Sequence, residues 1–232
     1  MALAKELKEG TKQSHSAAEN TKFVSSFLRG VVNKEKYRQL VANYYFIYQA
    51  MEVEVLRLKN QNDPIVGPLN MKELYRHRSL AKDCEYFYGE NWAKTIYPTE
   101  ACQQYVNRIR EVAHDETELL VGHHYTRYLG DLSGGQILRN IAKNALKLND
   151  GGLDFYEFPE IENKKEFKNN YRATLNTLPV TESQVSAIVS EANYAFRLNM
   201  FMFDELDGNA FKSTLAYICG IIKGKTDATT QD

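Results

Sequence analysis

Apolar positions along this chain recur three and four residues apart almost throughout, the period of amphipathic α-helices rather than strands. The clearest run is Tyr37, Leu40, Val41, Tyr44, Ile47, Tyr48, Met51, Val55 and Leu58, which predicts one long helix with a core-facing stripe. Asn62-Asp63-Pro64 and Gly67-Pro68 then interrupt the pattern. A further helix is predicted over 71–88, stopped by Gly89, and another opens at Pro98-Thr99 and runs to about Ala113. Three capping-box pairs mark other starts: Asp115 with Glu118, Asn163 with Glu166, and Thr181 with Gln184, the last flanked by Val180 and Val185 as a hydrophobic staple. Asn149-Asp150-Gly151-Gly152 reads as a loop, and only 155–159 alternates as a strand would before Pro159 ends it. The pattern predicts an all-α, single-domain fold of about eight helices.

Composition narrows the picture further. A hydrophobic share of 43% over 232 residues is enough for a real core, and five prolines leave long helices unbroken. Lys and Arg total 29 against 30 Asp and Glu, without a basic tail, so nothing calls for nucleic acid. Fifteen Tyr and eleven Phe, often in runs such as Tyr44-Tyr45-Phe46, fit core packing, and the same residues could wall a cavity for a large flat ligand. Cys84, Cys102 and Cys219 have no metal-binding spacing and read as free thiols in a reducing compartment. The apolar stretch 215–222 is too short to span a bilayer, so a soluble protein is expected, with the domain over 1–222 and a polar, disordered tail over 223–232.

One segment breaks the helical rules. Leu119, Leu120, Tyr125, Tyr128, Leu129, Leu132, Ile137, Leu138 and Ile141 keep helical spacing, yet Gly130, Gly134 and Gly135 sit among them. Each glycine costs a helix interior about 1 kcal/mol relative to alanine. A plain break between two helices would explain them. So would a helix with a bare face, able to bend and to bring its backbone against a flat ligand. No Walker Lys-Ser/Thr follows, which excludes a phosphate loop. Asp131 lies among these glycines, four residues after Arg127; it either forms an ion pair there or holds water over a ligand.

The first segment carries a second candidate. Leu3, Leu7, Ser14 and Ala18 give it a buried side, with His15 close to that side and Glu19 one turn later. A metal-ligating imidazole commonly has a carboxylate behind it, although a lone helical histidine is more often a surface or core-edge residue. Lys8 and Lys12 lie along the His15 side, and Lys168 and Arg172 stand one turn apart on another helix. All four could be simply solvated, or could neutralise an acidic ligand.

Together these segments resemble a known family. The run His123-His124-Tyr125-Thr126-Arg127-Tyr128-Leu129-Gly130-Asp131-Leu132-Ser133-Gly134-Gly135-Gln136 is similar to the haem oxygenase signature. Leu7 to His15, followed by Ala18-Glu19-Asn20, resembles that family's proximal helix, and Phe167-Lys168-Asn169-Asn170-Tyr171-Arg172 and Phe196-Arg197-Leu198-Asn199 also match. The likeness runs from about Leu3 to Leu206 and is closest to the cyanobacterial or algal-plastid type. It implies a helical bundle holding haem b, substrate and cofactor at once, between a proximal N-terminal helix and a kinked, glycine-containing distal helix. His15 would be the axial ligand of the haem iron, hydrogen-bonded toward Glu19. Asp131, Gly130, Arg127, Tyr48 and Asn199 would form the catalytic distal network. Lys8, Lys12, Lys168 and Arg172 would bind the propionates. Val24, Phe27, Tyr125, Thr126, Ser133, Gly134, Gly135 and Phe196 would complete the haem pocket.

The implied reaction uses O₂ and electrons from an external donor, here reduced ferredoxin, to yield biliverdin, expected as the IXα isomer, CO and Fe²⁺. The bilin would serve pigment synthesis or iron recovery, with a bilin reductase downstream. A monomer in the cyanobacterial cytoplasm or plastid stroma is expected, with neither membrane nor nucleic acid as partner. Gly122 and His124 depart from the signature, which carries Ala and a small residue there; His124 beside the pocket could alter ligation or redox poise. His77, His114 and His123 read as structural or surface residues. Three competing readings remain at this point: a non-catalytic haem carrier or sensor, a di-iron carboxylate protein, and a cofactor-free interaction module. The di-iron reading lacks the two Glu-x-x-His pairs it needs, since 111–114 is the only such spacing.

Overall fold

The computed structural model describes residues 2–208, which leaves the expectations for Cys219, the apolar stretch 215–222 and the tail 223–232 outside the described residues. The order of helices is α1 (Leu3–Gly10), α2 (Lys12–Glu19), α3 (Lys22–Leu28), α4 (Lys34–Asn60), α5 (His77–Tyr88), the single turn α6 (Trp92–Thr95), α7 (Glu100–Asp115), α8 (Leu120–His124), α9 (Gly130–Leu146), α10 (Lys164–Thr177) and α11 (Glu182–Leu206). No strand occurs among the described residues; Asp154–Tyr156 is a 3₁₀ turn with Phe155, Tyr156 and Phe158 buried.

The fold is all-α, as the periodicity predicts. All nine residues of the stripe read on α4 are buried. The excess over about eight helices comes from places where a continuous pattern hides a break. Thr11 turns the chain between α1 and α2 with φ −102° and ψ 0°. Its hydroxyl donates to the Leu7 carbonyl at 2.7 Å. The predicted helix over 71–88 begins only at His77, after a 3₁₀ turn at Lys72–Leu74. Thr181 and Gln184 form the expected capping box, and Asn163 accepts from the Glu166 amide at 3.1 Å. Asp115 caps nothing: it is the last residue of α7, and Glu116 (φ −144°) makes the turn that follows.

Two packed groups hold the frame. α4 lies against α5 and α7, and α11 lies against α1, α7 and α8. Gly122 is what allows the last of these. A Cβ there would stand 2.8 Å from the Ala192 amide nitrogen and 2.9 Å from the Ile188 carbonyl oxygen, so α8 meets the α11 backbone with nothing between. The departure from the family signature at Gly122 thus has a packing reason in this chain.

A charged clamp completes that junction. Buried Glu191 on α11 accepts from Arg108 Nε at 2.8 Å and Nη2 at 2.7 Å, and from His123 Nε2 at 2.8 Å. Burial would raise this carboxyl, but the hydrogen bonds from Arg108 and His123 outweigh it and hold the group down at about 2. A depressed carboxylate pKa contributes stability that is fully present above the unfolded value, near 4.5, and is lost as pH falls toward 2. Acid unfolding should therefore steepen across that window, with on the order of 3 kcal/mol at stake. Denaturant melts of wild type and Glu191→Gln between pH 7 and pH 2 test this: the variant should be weaker at neutral pH and should lose less stability on acidification.

Candidate functional site

The glycine segment does not form one bent α-helix. Leu120–His124 is α-helical, Tyr125–Leu129 widens into a π-helical turn, and α9 starts at Gly130. A π turn inserts one extra residue and re-aims the side chains after it, a feature common at functional sites. All five of its residues are buried, and their side chains are held from several directions. The interruption lies just before the glycines, and Gly134 and Gly135 are ordinary α-helical positions inside α9.

These elements bound a cavity of about 560 Å³. One wall comes from α2, through His15, Ala18 and Glu19. Another comes from the π turn and α9, through Thr126, Arg127, Gly130, Asp131, Ser133, Gly134 and Gly135. Val24, Phe196, Leu138 and Phe203 make it apolar, and Lys8 and Arg172 add cations. A Cβ placed on Gly130 or Gly134 would meet nothing within 4 Å, so both glycines keep open a space that any side chain would occupy. A Cβ on Gly135 would touch the Tyr156 ring at 3.5 Å.

The first segment departs from its expected burial. α2 buries no residue; Ser14 is half-buried and donates to Asn193 Oδ1 at 2.5 Å, and His15 is exposed toward the cavity. The cause is the turn at Thr11, which takes α2 off the core and lays it along the cavity. His15 Nδ1 stands 3.7 Å from Glu19 Oε1, an ion-pair distance too long for the expected hydrogen bond. The imidazole edge meets the Phe196 ring, centroids 5.9 Å apart.

Opposed to this half-open wall is a closed polar network. Arg127 donates through Nε to Tyr48 Oη at 2.9 Å and through Nη1 to Asn199 Oδ1 at 2.5 Å. Tyr48 donates in turn to Asp131 Oδ2, and Arg127 Nη2 lies 3.6 Å from Asp131 Oδ1. Asn199 donates to its own helix at the Ala195 carbonyl, 2.8 Å away, which fixes its amide. The guanidinium also lies over the Tyr44 ring at 4.3 Å. Burial raises the Asp131 carboxyl, while Arg127 and the Tyr48 hydroxyl oppose the rise. Burial likewise keeps Tyr48 protonated, so that it donates. The two readings of Asp131 are therefore compatible: it pairs with Arg127 and also faces the cavity.

Other expected residues fall less directly on the cavity. Tyr48 is fully buried and acts only through its hydroxyl. Phe27 does not line the cavity; its ring lies in the core beside Phe23 and Tyr37. Lys12 and Lys168 stand outside the lining, although Lys168 Nζ reaches Ser133 Oγ at 3.4 Å. Arg172 and Tyr125 do line it. His124 does not. It is buried, Nδ1 takes the Tyr171 hydroxyl at 2.8 Å, and burial drives its imidazole down to about 3, so it is a neutral core residue rather than a ligand-side group. Sequence reasoning missed Tyr44, Leu129, Tyr156 and Phe203 as cavity walls: the three on helical segments follow the same apolar period as the core, and Tyr156 sits in a 3₁₀ turn with strand-like alternation.

The residues suit a flat iron porphyrin: an imidazole on one wall, a side-chain-free helix on another, apolar sides, and cations for acidic groups. The "Heme oxygenase" family model matches residues 1–205. The chain belongs to the haem oxygenase family. It is 51% identical over 223 residues to the heme oxygenase of Porphyra purpurea, covering 96% of this chain and 94% of the relative. It is 53% identical over 211 residues to heme oxygenase 1 of Synechocystis, covering 91% and 87%. The crystal structure of heme oxygenase-1 from that cyanobacterium in complex with heme superposes with a TM-score of 0.88 at 50% identity, covering 96% of this chain and all of the other. No helix of the described residues is long and apolar enough to cross a membrane.

The open space at Gly134 makes a prediction. Gly134→Ala should gain about 1 kcal/mol from helix propensity, since its methyl meets nothing. Gly134→Leu should keep the fold and fill the cavity. Thermal melts of the haem-free variants, with a Soret titration of each, test this: both should melt at or above the wild-type temperature, and only the leucine variant should lose most of its haem affinity.

Proposed function

We propose that the protein binds haem in this cavity and opens the ring with O₂ and electrons from an outside donor, releasing biliverdin, CO and Fe²⁺. Family membership supports the reaction. The observation that carries its assignment to this cavity is the meeting of His15, the bare face at Gly130 and Gly134, and half-buried Asp131 on one apolar space. Haem supplies the redox-active iron and is also the ring that is cleaved.

The chain's own residues do the rest. His15 would hold the haem iron through its imidazole, with the Glu19 carboxylate 3.7 Å away on the same helix face. Lys8 and Arg172, backed by Lys12 and Lys168, hold the ring's carboxylates and so fix its rotation; the planar fork of Arg172 suits one geometry of a carboxylate. Gly130, Ser133, Gly134 and Gly135 let the α9 backbone lie close to the ring. Val24, Tyr125, Thr126 and Phe196 pack around it, with Phe27 behind them. Arg127, Tyr48 and Asn199 hold Asp131 in place. Asp131, held there and facing the cavity, would hold water and relay a proton through it without a bulky acid crowding the space.

A non-catalytic carrier would use His15 and the cations but has no need of a half-buried carboxylate with three supporting residues. Haem, reductant and O₂ followed by chromatography of the bilin distinguishes the two. His15→Ala should bind haem without the spectrum of a histidine-ligated iron. Asp131→Asn should bind haem with near wild-type Kd and form biliverdin about 100-fold more slowly. Wild-type turnover by Asp131→Asn would leave the aspartate with its ion pair alone.

The donor is a small acidic ferredoxin docking at the edge where Lys8, Lys12, Lys168 and Arg172 gather, and the product passes to a bilin reductase. The protein acts as a monomer in a cyanobacterial cytoplasm or plastid stroma, a reading supported by cyanobacterial and red-algal relatives. Encounter steered by charge weakens with salt. The second-order rate with ferredoxin should fall several-fold between about 50 and 300 mM salt, as the Debye length shrinks through about 10 Å at 0.1 M. A rate independent of ionic strength would place the donor elsewhere.

A further inference from the structure

The π turn raises a question that the cavity does not answer: what holds the wider turn in place, since the regular α-helical alternative hydrogen-bonds its backbone at least as well. Part of the answer lies on α4, in a residue remote from the cavity. Glu52 is 3% exposed and accepts four donors. Its Oε1 takes the Arg76 amide, the His77 amide at 3.1 Å and the Tyr128 hydroxyl at 3.2 Å, and its Oε2 faces His77 Nδ1. Three of these donors belong to the start of α5, where no side chain caps the helix from Arg76 itself. The fourth belongs to the π turn.

The spacing gives this contact its meaning. Tyr48 and Glu52 are one turn apart on α4 and present a donor and an acceptor on the same side. Tyr128 and Asp131 lie on either side of the junction where the π turn becomes α9. Tyr48 grips Asp131, and Glu52 grips Tyr128. The rings of Tyr48 and Tyr128 meet edge-on, centroids 5.5 Å apart, closing the gap between the two grips. A shift of the junction by one residue would break both hydrogen bonds and leave two buried phenols, Tyr48 and Tyr128, without their acceptors. Tyr128 is 1% exposed, and water does not reach it as a substitute partner.

We propose that Glu52, through Tyr128, is a positioning residue of the haem site: it locks the register of the π turn and thereby sets where Asp131 faces the cavity. Neither Glu52 nor Tyr128 lines the cavity, so neither acts on the ring directly. The proposal rests on the reading of Asp131 given above.

Tyr128→Phe is the sharper variant, because it removes one hydroxyl and leaves the ring packing and the α5 cap intact; Glu52→Gln is the second. Two readouts separate positioning from stability. In the haem-free proteins, amide hydrogen exchange over 125–131 should speed up several-fold in both variants, with Tyr128→Phe leaving 76–80 at the wild-type rate. In the haem-loaded proteins, the pH midpoint of the ferric haem absorption spectrum should move in the same direction as in Asp131→Asn, by about half a unit or more, while haem affinity stays within about threefold. The double variant Tyr128→Phe/Asp131→Asn should move no further than Asp131→Asn alone. A lower melting temperature with unchanged exchange over 125–131 and an unchanged midpoint would overturn the proposal and leave Glu52 as a helix cap. If Asp131→Asn itself leaves the midpoint in place, the reading of Asp131 fails, and the exchange over 125–131 still decides whether Glu52 pins the turn.

Discussion

A buried guanidinium sets the terms for the rest of this molecule. Arg127 is 7% exposed, and a buried charge stands only where every direction is partnered. Its partners come from three elements: Tyr44 and Tyr48 from α4, Asn199 from α11, and Asp131 from its own α9 side of the turn. Meeting them forces the two longest helices and the distal segment into one arrangement. The cavity lies where that arrangement leaves the bare face of α9 without a neighbour.

The two walls differ in how they are held, and the difference is physical. The distal wall is a closed hydrogen-bonded network whose members are mutually fixed and, apart from half-buried Asp131, buried. The wall on α2 has no buried residue and keeps His15 and Glu19 more than half exposed. A rigid polar network opposite a lightly anchored helix suits a large planar molecule. A ligand that binds the folded protein and not the unfolded chain stabilises the fold by mass action.

Much of this was legible in the residue pattern. The α4 stripe is buried at every expected position, because helical period and burial are the same physical fact for a helix packed on one face. Gly130 and Gly134 stood out as a local conflict, and the conflict marks the cavity. The family resemblance brought His15, Asp131, Arg127, Tyr48 and Asn199 forward, and the structure gathers them around one space. Less visible were Tyr44 and Phe203, since a helical aromatic facing a cavity and one facing the core obey the same spacing. Asp115 with Glu118 matched a capping pattern, yet α7 runs on for one exposed half-turn through His114 and Asp115, so Asp115 closes that helix rather than opening a new one.

The sequence by itself determined the helical class and the long core stripe, because both follow from local spacing, and it marked the glycine cluster as a conflict; haem entered through the family resemblance. Only the tertiary structure decided the π turn at 125–129, the turn at Thr11 that lifts α2 off the core, and the burial of His124 against Tyr171. Each depends on partners distant in sequence: Glu52 and Ala192 for the π turn, Asn193 beside the turn at Thr11, and Tyr171 for His124. A local pattern cannot encode a contact whose second half lies dozens of residues away, and at these points non-local contacts outweigh the small free-energy difference between neighbouring helical forms.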